Sequence, residues 1–315
     1  MHGRSVLVSR TFWGLVLIFT LVFVAFGFHH AIVKADSELI KGSGNLTKKT
    51  IEFEDLRGVA LETIGDMYVE YGERAELTIE AEDNYIDRFE TEVKRGILYV
   101  DLEKDLSIKT TQKVKYYVTL NHINFLAASS AGDIHAPNIK EDELVLKVSS
   151  AGDIDLKNVH ADILDVSISS AGDVTLLDFV GREFDLNISS AGDFTADRVE
   201  ADNVDMGLSS SGDARVDFLS CNNLEANVSS AGDVRINDGR ADEMDIGLSS
   251  SGDFKAGQVK SQKAKVRISS AGDASVYVSG YLDAKTSSSG SVYVYGDPET
   301  VDAWSSSGGR VKRMR

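Results

Sequence analysis

From Ile134 onward, apolar and polar residues alternate in two short stretches per repeat, and both stretches keep their phase from one repeat to the next. The first stretch has an apolar column Ile134, Ile154, Val174, Phe194, Ala214, Val234, Phe254, Ala274 and, two positions on, a second running Ala136, Leu156, Leu176, Ala196, Val216, Ile236, Ala256, Val276. Between them stands a polar series: His135, Asp155, Thr175, Thr195, Arg215, Arg235, Lys255, Ser275. Three further apolar columns follow in each repeat, from Leu144 to Ala264, Leu146 to Val266 and Val148 to Ile268, again separated by polar positions. Alternation of period two with many β-branched residues predicts strands, and the 3.6-residue period that a helical repeat needs is absent.

The two stretches are joined by a fixed phrase. Ser-Ser-Ala/Ser-Gly-Asp begins at Ser129, Ser149, Ser169, Ser189, Ser209, Ser229, Ser249 and Ser269, an interval that never varies, and degenerate copies follow at the slightly shorter steps to Ser287 and Ser305. So strict a period means a solenoid, in which equivalent positions stack into columns. The chain is therefore expected to be all-β: a single-stranded right-handed parallel β-helix of about ten coils. Its hand follows the preference of parallel crossover connections, and at about 4.8 Å per coil the rod is roughly 50 Å long.

The turn ladder is then Gly132 and Asp133, Gly152 and Asp153, Gly172 and Asp173, Gly192 and Asp193, Gly212 and Asp213, Gly232 and Asp233, Gly252 and Asp253, Gly272 and Asp273. Glycine is expected to supply the corner through positive φ, and the preceding serines to bond backbone groups freed there.

The rest of the chain fits one elongated β domain. It has only two prolines, Pro137 and Pro298, against 27 glycines, and no linker is visible. Residues 36–128 carry strand patterns without the strict period, at Val59 to Thr63, Met67 to Tyr71, Leu77 to Ala81, Ile97 to Leu102 and Val114 to Leu120. They are expected to form irregular first coils and a cap, since an uncovered terminal coil exposes core and a sheet edge. Residues 129–315 hold the regular repeats and a C-terminal cap.

Residues 1–35 read as a targeting segment. Arg4 and Arg10 precede an uncharged run from Thr11 to Phe28, and Val33 and Ala35 are spaced as a signal peptidase accepts, so a secretory signal cleaved after Ala35 is expected. The run is nearly long enough to span a bilayer, which leaves an uncleaved membrane anchor as the other reading. The formal net charge of the whole chain is −17, and residues 1–35 contain no acid, so the remainder is more acidic still. Such a surface argues against nucleic acid as a partner and against anionic lipid, so contact with a membrane is expected only through the leader. Arg310, Lys312, Arg313 and Arg315 make a small basic exception.

The stretches Phe53 to Val59 and Ile97 to Asp101, together with the serial Ser-Ser-Ala-Gly-Asp turns, resemble the "putative auto-transporter adhesin, head GIN domain" family over residues 51–315. The resemblance implies a bacterial exported β-helix, similar in shape to pectate lyases but without their catalytic residues, and assigned to adhesion. It implies no particular site residues. The large C-terminal outer-membrane barrel of self-transporting adhesins has no counterpart here, so the resemblance implies an exported surface or periplasmic module.

Candidate sites divide by column. The aspartates of the turn ladder either accept turn amides, as Asp commonly does, or hold a row of cations such as Ca²⁺. Because the Gly-Gly-x-Gly-x-Asp nonapeptide of calcium-binding β-rolls is absent, the first is expected, and neither metal nor cofactor. Cys221 stands in a column of small residues, Ala161, Gly181, Ala201, Ala241 and Ser261, and is expected to be a packed side chain. His122, His135 and His160 are scattered and suggest no zinc site.

Asp165, Asp185, Asp205, Glu225 and Asp245 line one face as a uniform stripe, whereas an active site needs one local constellation. The protein is thus expected not to be an enzyme but to bind glycan or protein, with self-association as a further expectation. A carbohydrate-active β-helix is the alternative. The binding patch is expected on the first-strand face around Tyr277, Tyr293 and Tyr295 with Arg235 and Lys255, where amphipathic aromatics meet positive charge. Trp304 is expected in the inward column of Val148 to Ile268, plugging the end of the core.

Overall fold

In a computed structural model that describes residues 38–314, the chain winds as a parallel β-solenoid of about nine turns, against the ten or so expected. The leader expected over residues 1–35 lies outside the described residues. Among these, no helix is long and apolar enough to cross a membrane.

The columns are the architecture. On the first strand of each coil Ile134 pairs with Ile154, then Val174, Phe194, Ala214, Val234, Phe254, Ala274 and Val292 in parallel register. On the second, Leu146 leads through Val166, Leu186, Met206, Ala226, Ile246 and Val266 to Ala284. All of these residues are buried. Each inward side chain therefore packs on its equivalents one coil above and below, about 4.8 Å away, as well as across the coil. Phe184 sits between Phe179 and Phe194 with ring centroids 5.7 and 5.4 Å apart.

The turn glycines serve a different purpose from the one expected. None of the eight lies at positive φ; in the first coils that conformation falls on Ser130 and Ser150, at 91° and 81°. Glycine is needed because the corner points inward against the preceding coil. A Cβ on Gly212 would sit 2.1 Å from the carbonyl oxygen of Gly192 and 2.8 Å from Ile188 Cγ2, and the same approach recurs from Gly152 to Gly272. The serines act as expected: the hydroxyls of Ser210, Ser230 and Ser270 donate to the carbonyls of Ser189, Ser209 and Ser249 at 2.8–2.9 Å, tying coil to coil.

The N-terminal end is assembled out of chain order. The strand Gly58–Leu61 lies between Phe125–Ser130 and Ile97–Leu102, and Gly65–Tyr71 lies between Lys115–Leu120 and the strand that opens at Gly132. Residues 58–71 thus form one coil, residues 75–120 add a further coil outside it, and the chain returns at Phe125 to continue the stack. Antiparallel strands Leu46–Phe53, Ala75–Glu82 and Phe89–Lys94 flank this end.

Buried Glu82 locks the cap. Its carboxylate accepts the hydroxyl and amide of Thr111 at 2.5 and 3.1 Å, the Gly44 amide at 2.6 Å and the Tyr85 hydroxyl at 2.9 Å. Burial alone would raise its pKa, but these four bonds outweigh it and hold the carboxyl at about 2.

At the other end the strand Thr300–Ser305 is exposed throughout. Thr286 takes Ser305 as its register partner, one position later than the preceding step would place it, so Trp304 aligns with outward Lys285 and not with the inward column. Trp304 accordingly does not plug the core; it is 55% exposed.

Candidate functional site

The aspartate ladder is a chain of hydrogen bonds running along the solenoid. Oδ1 of Asp153 accepts the backbone N–H of Asp173 at 2.8 Å, and the pattern continues through Asp173, Asp193, Asp213, Asp233 and Asp253 at 2.8–2.9 Å, ending with Asp273 and the Ser291 amide. Asp133 starts it, at 3.2 Å from the Asp153 amide. The carbonyls of the same residues accept from the preceding coil, as when Phe194 N–H bonds Asp213 at 2.9 Å. Each carboxylate so satisfies an amide that the turn would otherwise leave unpaired. No group of three or more His, Cys, Asp or Glu side chains among the described residues is placed to hold a metal ion.

On the first-strand face Arg215, Arg235, Lys255, Ser275, Tyr293 and Lys312 form one outward column, with Tyr277 in register beside Tyr295. The register thus puts Arg235 and Lys255 in the column that runs on through Ser275 to Tyr293, with Arg235 three coils away from Tyr293 and with Tyr277 and Tyr295 in the next outward column. Much of this face is occupied by its own side chains. Lys255 Nζ lies 2.7 Å from Asp233 and 3.0 Å from Asp253. Burial would lower this ammonium, yet the two carboxylates outweigh it and raise its pKa, while Asp233, which burial would raise, is held below the usual carboxylate range. Lys312 covers the Tyr293 ring at 5.2 Å. The coil after Lys255 skips a corner, with a register shift between Ala256 and Lys260, and the Tyr295 ring drops onto Gly257, where a Cβ would lie 2.6 Å from it.

A second aromatic ladder occupies the N-terminal end of the same face. Lys48 lies 5.5 Å over the Tyr117 ring, Tyr117 stacks on Tyr68 at 5.6 Å, Tyr68 on His135 at 5.3 Å, and His135 Nδ1 approaches Asp155 at 3.1 Å. The periodic reading missed it because Tyr68 and Tyr117 come from the coils that stack out of order. The alternation within Gly65–Tyr71 and Lys115–Leu120 was the available signal. The rings cover one another's faces, so the ladder is packed structure with a shallow channel beside Pro137 and Lys157.

The second-strand face is not uniformly acidic. Asp165, Asp185, Asp205, Glu225 and Asp245 do stack in register. Burial first, then the neighbouring acids, push the Asp185 and Asp205 carboxyls up. In the next coil the sign reverses: Lys265 follows Asp245, Lys263 follows Glu243, and Arg267 and Lys285 continue the adjacent column. Lys263 reaches Glu243 at 2.5 Å, Lys265 pairs with Asp245, and Arg267 pairs with Asp283. Beyond Lys285 stands exposed Trp304. Between Asn227 and Trp304, Arg267 and Lys285 border an open groove of about 450 Å³ that passes Gly247 and is edged by Ser229, Ser249, Ser269 and Ser287. Arg267, Lys285 and Trp304 thus border one open groove on this face.

Cys221 is buried in register with Ala241, and burial, with Asp242 nearby, pushes its thiol up to about 12. A thiol so protonated is a packed side chain rather than a nucleophile.

A family model described as "Putative auto-transporter adhesin, head GIN domain" matches residues 55–236 and 185–298. A crystal structure of a "putative adhesin" from Parabacteroides merdae is similar over 88% of this chain and all of its own, at 18% identity and a TM-score of 0.52. Another "putative adhesin", from Parabacteroides distasonis, is 16% identical with a TM-score of 0.49 and the same coverage. No curated protein matches the chain.

Proposed function

We propose, from the premise that this chain belongs to the auto-transporter adhesin head GIN domain family, that it is an exported, non-catalytic module holding a surface glycan or protein on its lateral faces. The observation that carries this reading is the change along the second-strand face from a stacked acidic stripe to Lys263, Lys265, Arg267, Lys285 and an exposed Trp304. On this face the coil of Lys263, Lys265 and Arg267 departs from the acidic coils before it. Asp283 and Asp302 return in the Lys265 column, while Arg267, Lys285 and Trp304 stay adjacent. Trp and Arg are residue types in which binding energy concentrates.

The chemistry elsewhere favours binding over turnover. Each turn aspartate is already engaged by an amide, and the acidic stripe repeats with the coil instead of converging on one pocket. An acid, a base and an enclosed site would have to meet for glycan cleavage.

Two measurements test the reading together. Cell fractionation with N-terminal sequencing should find the protein in the envelope or outside the cell, and beads coated with purified protein should be retained on glycan-bearing or cell surfaces. A cytoplasmic protein whose beads adhere no better than albumin-coated ones would overturn it.

A further inference from the structure

We infer that the groove ended by Trp304 is a subsite for an acidic saccharide, a sugar ring carrying carboxylate or sulfate. The inference rests on the binding role proposed above and names the ligand class of that face. Three features of the groove converge on this chemistry.

The first is the platform. The Trp304 indole is 55% exposed on the outermost described coil, next in register to Lys285, so a ring surface is open to a ligand. A flat amphipathic ring suits the apolar C–H face of a pyranose and leaves the sugar hydroxyls to polar neighbours. The Tyr68 and Tyr293 rings differ here, being covered by other side chains.

The second is charge. Among the described residues, the charged side chains that line the groove are Arg267 and Lys285, both cationic. Asp283, beneath them, gives one carboxylate oxygen to Arg267, while Lys285 Nζ stays 3.8 Å from the other. That distance is beyond a hydrogen bond, and the second oxygen has no hydrogen-bond partner. One carboxylate thus faces two cations: Arg267 is held by Asp283 and by the carbonyls of Val266 and Asp283, while Lys285 has only the longer ion pair and is the cation that an incoming anion can draw away. The acids Asp283 and Asp302 stand in the adjacent outward column of the same face, two residues before Lys285 and Trp304.

The third is shape and hydrogen-bonding capacity. Gly247 carries no side chain between Asn227 and Arg267 in the outward column; Asn227 Oδ1 leans into the space, 2.6 Å from where a Cβ would stand, and offers an acceptor there beside a row of serines. The Ser229 and Ser269 hydroxyls lie 3.4 Å from carbonyls of the preceding coil, weak contacts that a ligand hydroxyl can displace.

The test uses the full-length purified protein with three hexasaccharides as probes: hexagalacturonic acid, a heparin hexasaccharide and neutral cellohexaose. Binding is measured by calorimetry and by tryptophan fluorescence, with Trp304→Ala giving the background from Trp13. The parent should bind at least one acidic probe and prefer it to cellohexaose. Trp304→Ala should weaken binding by at least about tenfold, as loss of an aromatic anchor does. Lys285→Gln, an exposed and near-isosteric change, should weaken it by about fivefold and flatten its salt dependence. Unchanged circular dichroism in both variants separates lost contacts from lost fold. Equal affinity for cellohexaose, or unaltered binding by either variant, overturns the inference. If the parent binds none of the acidic probes while coated beads still adhere to cells, the subsite is wrong and the adhesive role stands; if the beads fail as well, both fall.

Discussion

Oδ1 of Asp213 accepts the backbone N–H of Asp233 at 2.8 Å, one rung in a ladder that links each turn to the next. The rung predicts how the turn aspartates respond to change. Asp213→Ala should cost on the order of 1 kcal/mol, the net worth of a hydrogen bond, while Asp213→Asn keeps an oxygen acceptor and should be close to neutral. Because each Oδ1 from Asp133 to Asp273 already accepts an amide, thermal unfolding in EDTA and in millimolar Ca²⁺ is expected to coincide. A large Ca²⁺-dependent rise in Tm would refute this.

Gly212→Ala should be far more damaging than its size suggests. The added Cβ would meet the Gly192 carbonyl oxygen at 2.1 Å, and a backbone atom held in the coil ladder cannot step aside. A loss of about 3 kcal/mol or more is expected in chemical denaturation, at or above the usual range for overpacking. Were the glycine needed only for flexibility, the loss would be about 1 kcal/mol.

The acidic stripe should give a pH-dependent stability. The folded-state pKa values of Asp185 and Asp205 lie above the ordinary Asp range, through burial and then neighbouring carboxylates. A raised acid favours folding below its pKa and opposes it above, so repulsion is present at pH 7 and relieved on acidification. The double variant Asp185→Asn, Asp205→Asn should therefore gain stability at pH 7, by about 0.5 kcal/mol per relieved contact. Differential scanning calorimetry should show Tm raised by roughly 2–4 °C per kcal/mol, with the gain shrinking as pH falls through the acidic range.

Glu82 has the opposite sign. Its folded pKa of about 2 lies below the usual value near 4.3, so its stabilisation is full above that value and is lost as pH falls toward 2. The N-terminal cap should loosen in acid before the central coils do, seen as early hydrogen exchange at Gly44 and Thr111. Glu82→Gln, which turns an amide group toward N–H donors, should cost on the order of 2 kcal/mol at pH 7 and progressively less as the pH falls from about 4 toward 2.

The central coils were legible in the sequence because a solenoid converts period into geometry: Ile154, Val174 and Phe194 had to share a column once the interval was fixed, and they do. Legibility failed where the interval changed. Tyr277 and Tyr295 align as the shortened repeat implies, but the step from Thr286 to Ser305 is one position longer, and that single residue moves Trp304 from the core to the surface. The ladder of Tyr117, Tyr68 and His135 was hidden because non-local stacking, and not chain order, sets those neighbours. The role of the turn glycines was misread for a local reason: positive φ is the commonest demand for glycine, whereas here a carbonyl from the coil below excludes any side chain.

The most direct test of a binding module against a catalytic one is a measurement of retention and turnover on the same samples. Purified protein is incubated with pectin, alginate, heparan sulfate and cellulose, and bound protein is recorded alongside reducing ends and unsaturated products. The account predicts retention on at least one polymer, with product at the level of the protein-free control throughout. Sustained product formation, abolished when Asp165, Asp185 and Asp205 are changed to Asn, would contradict it.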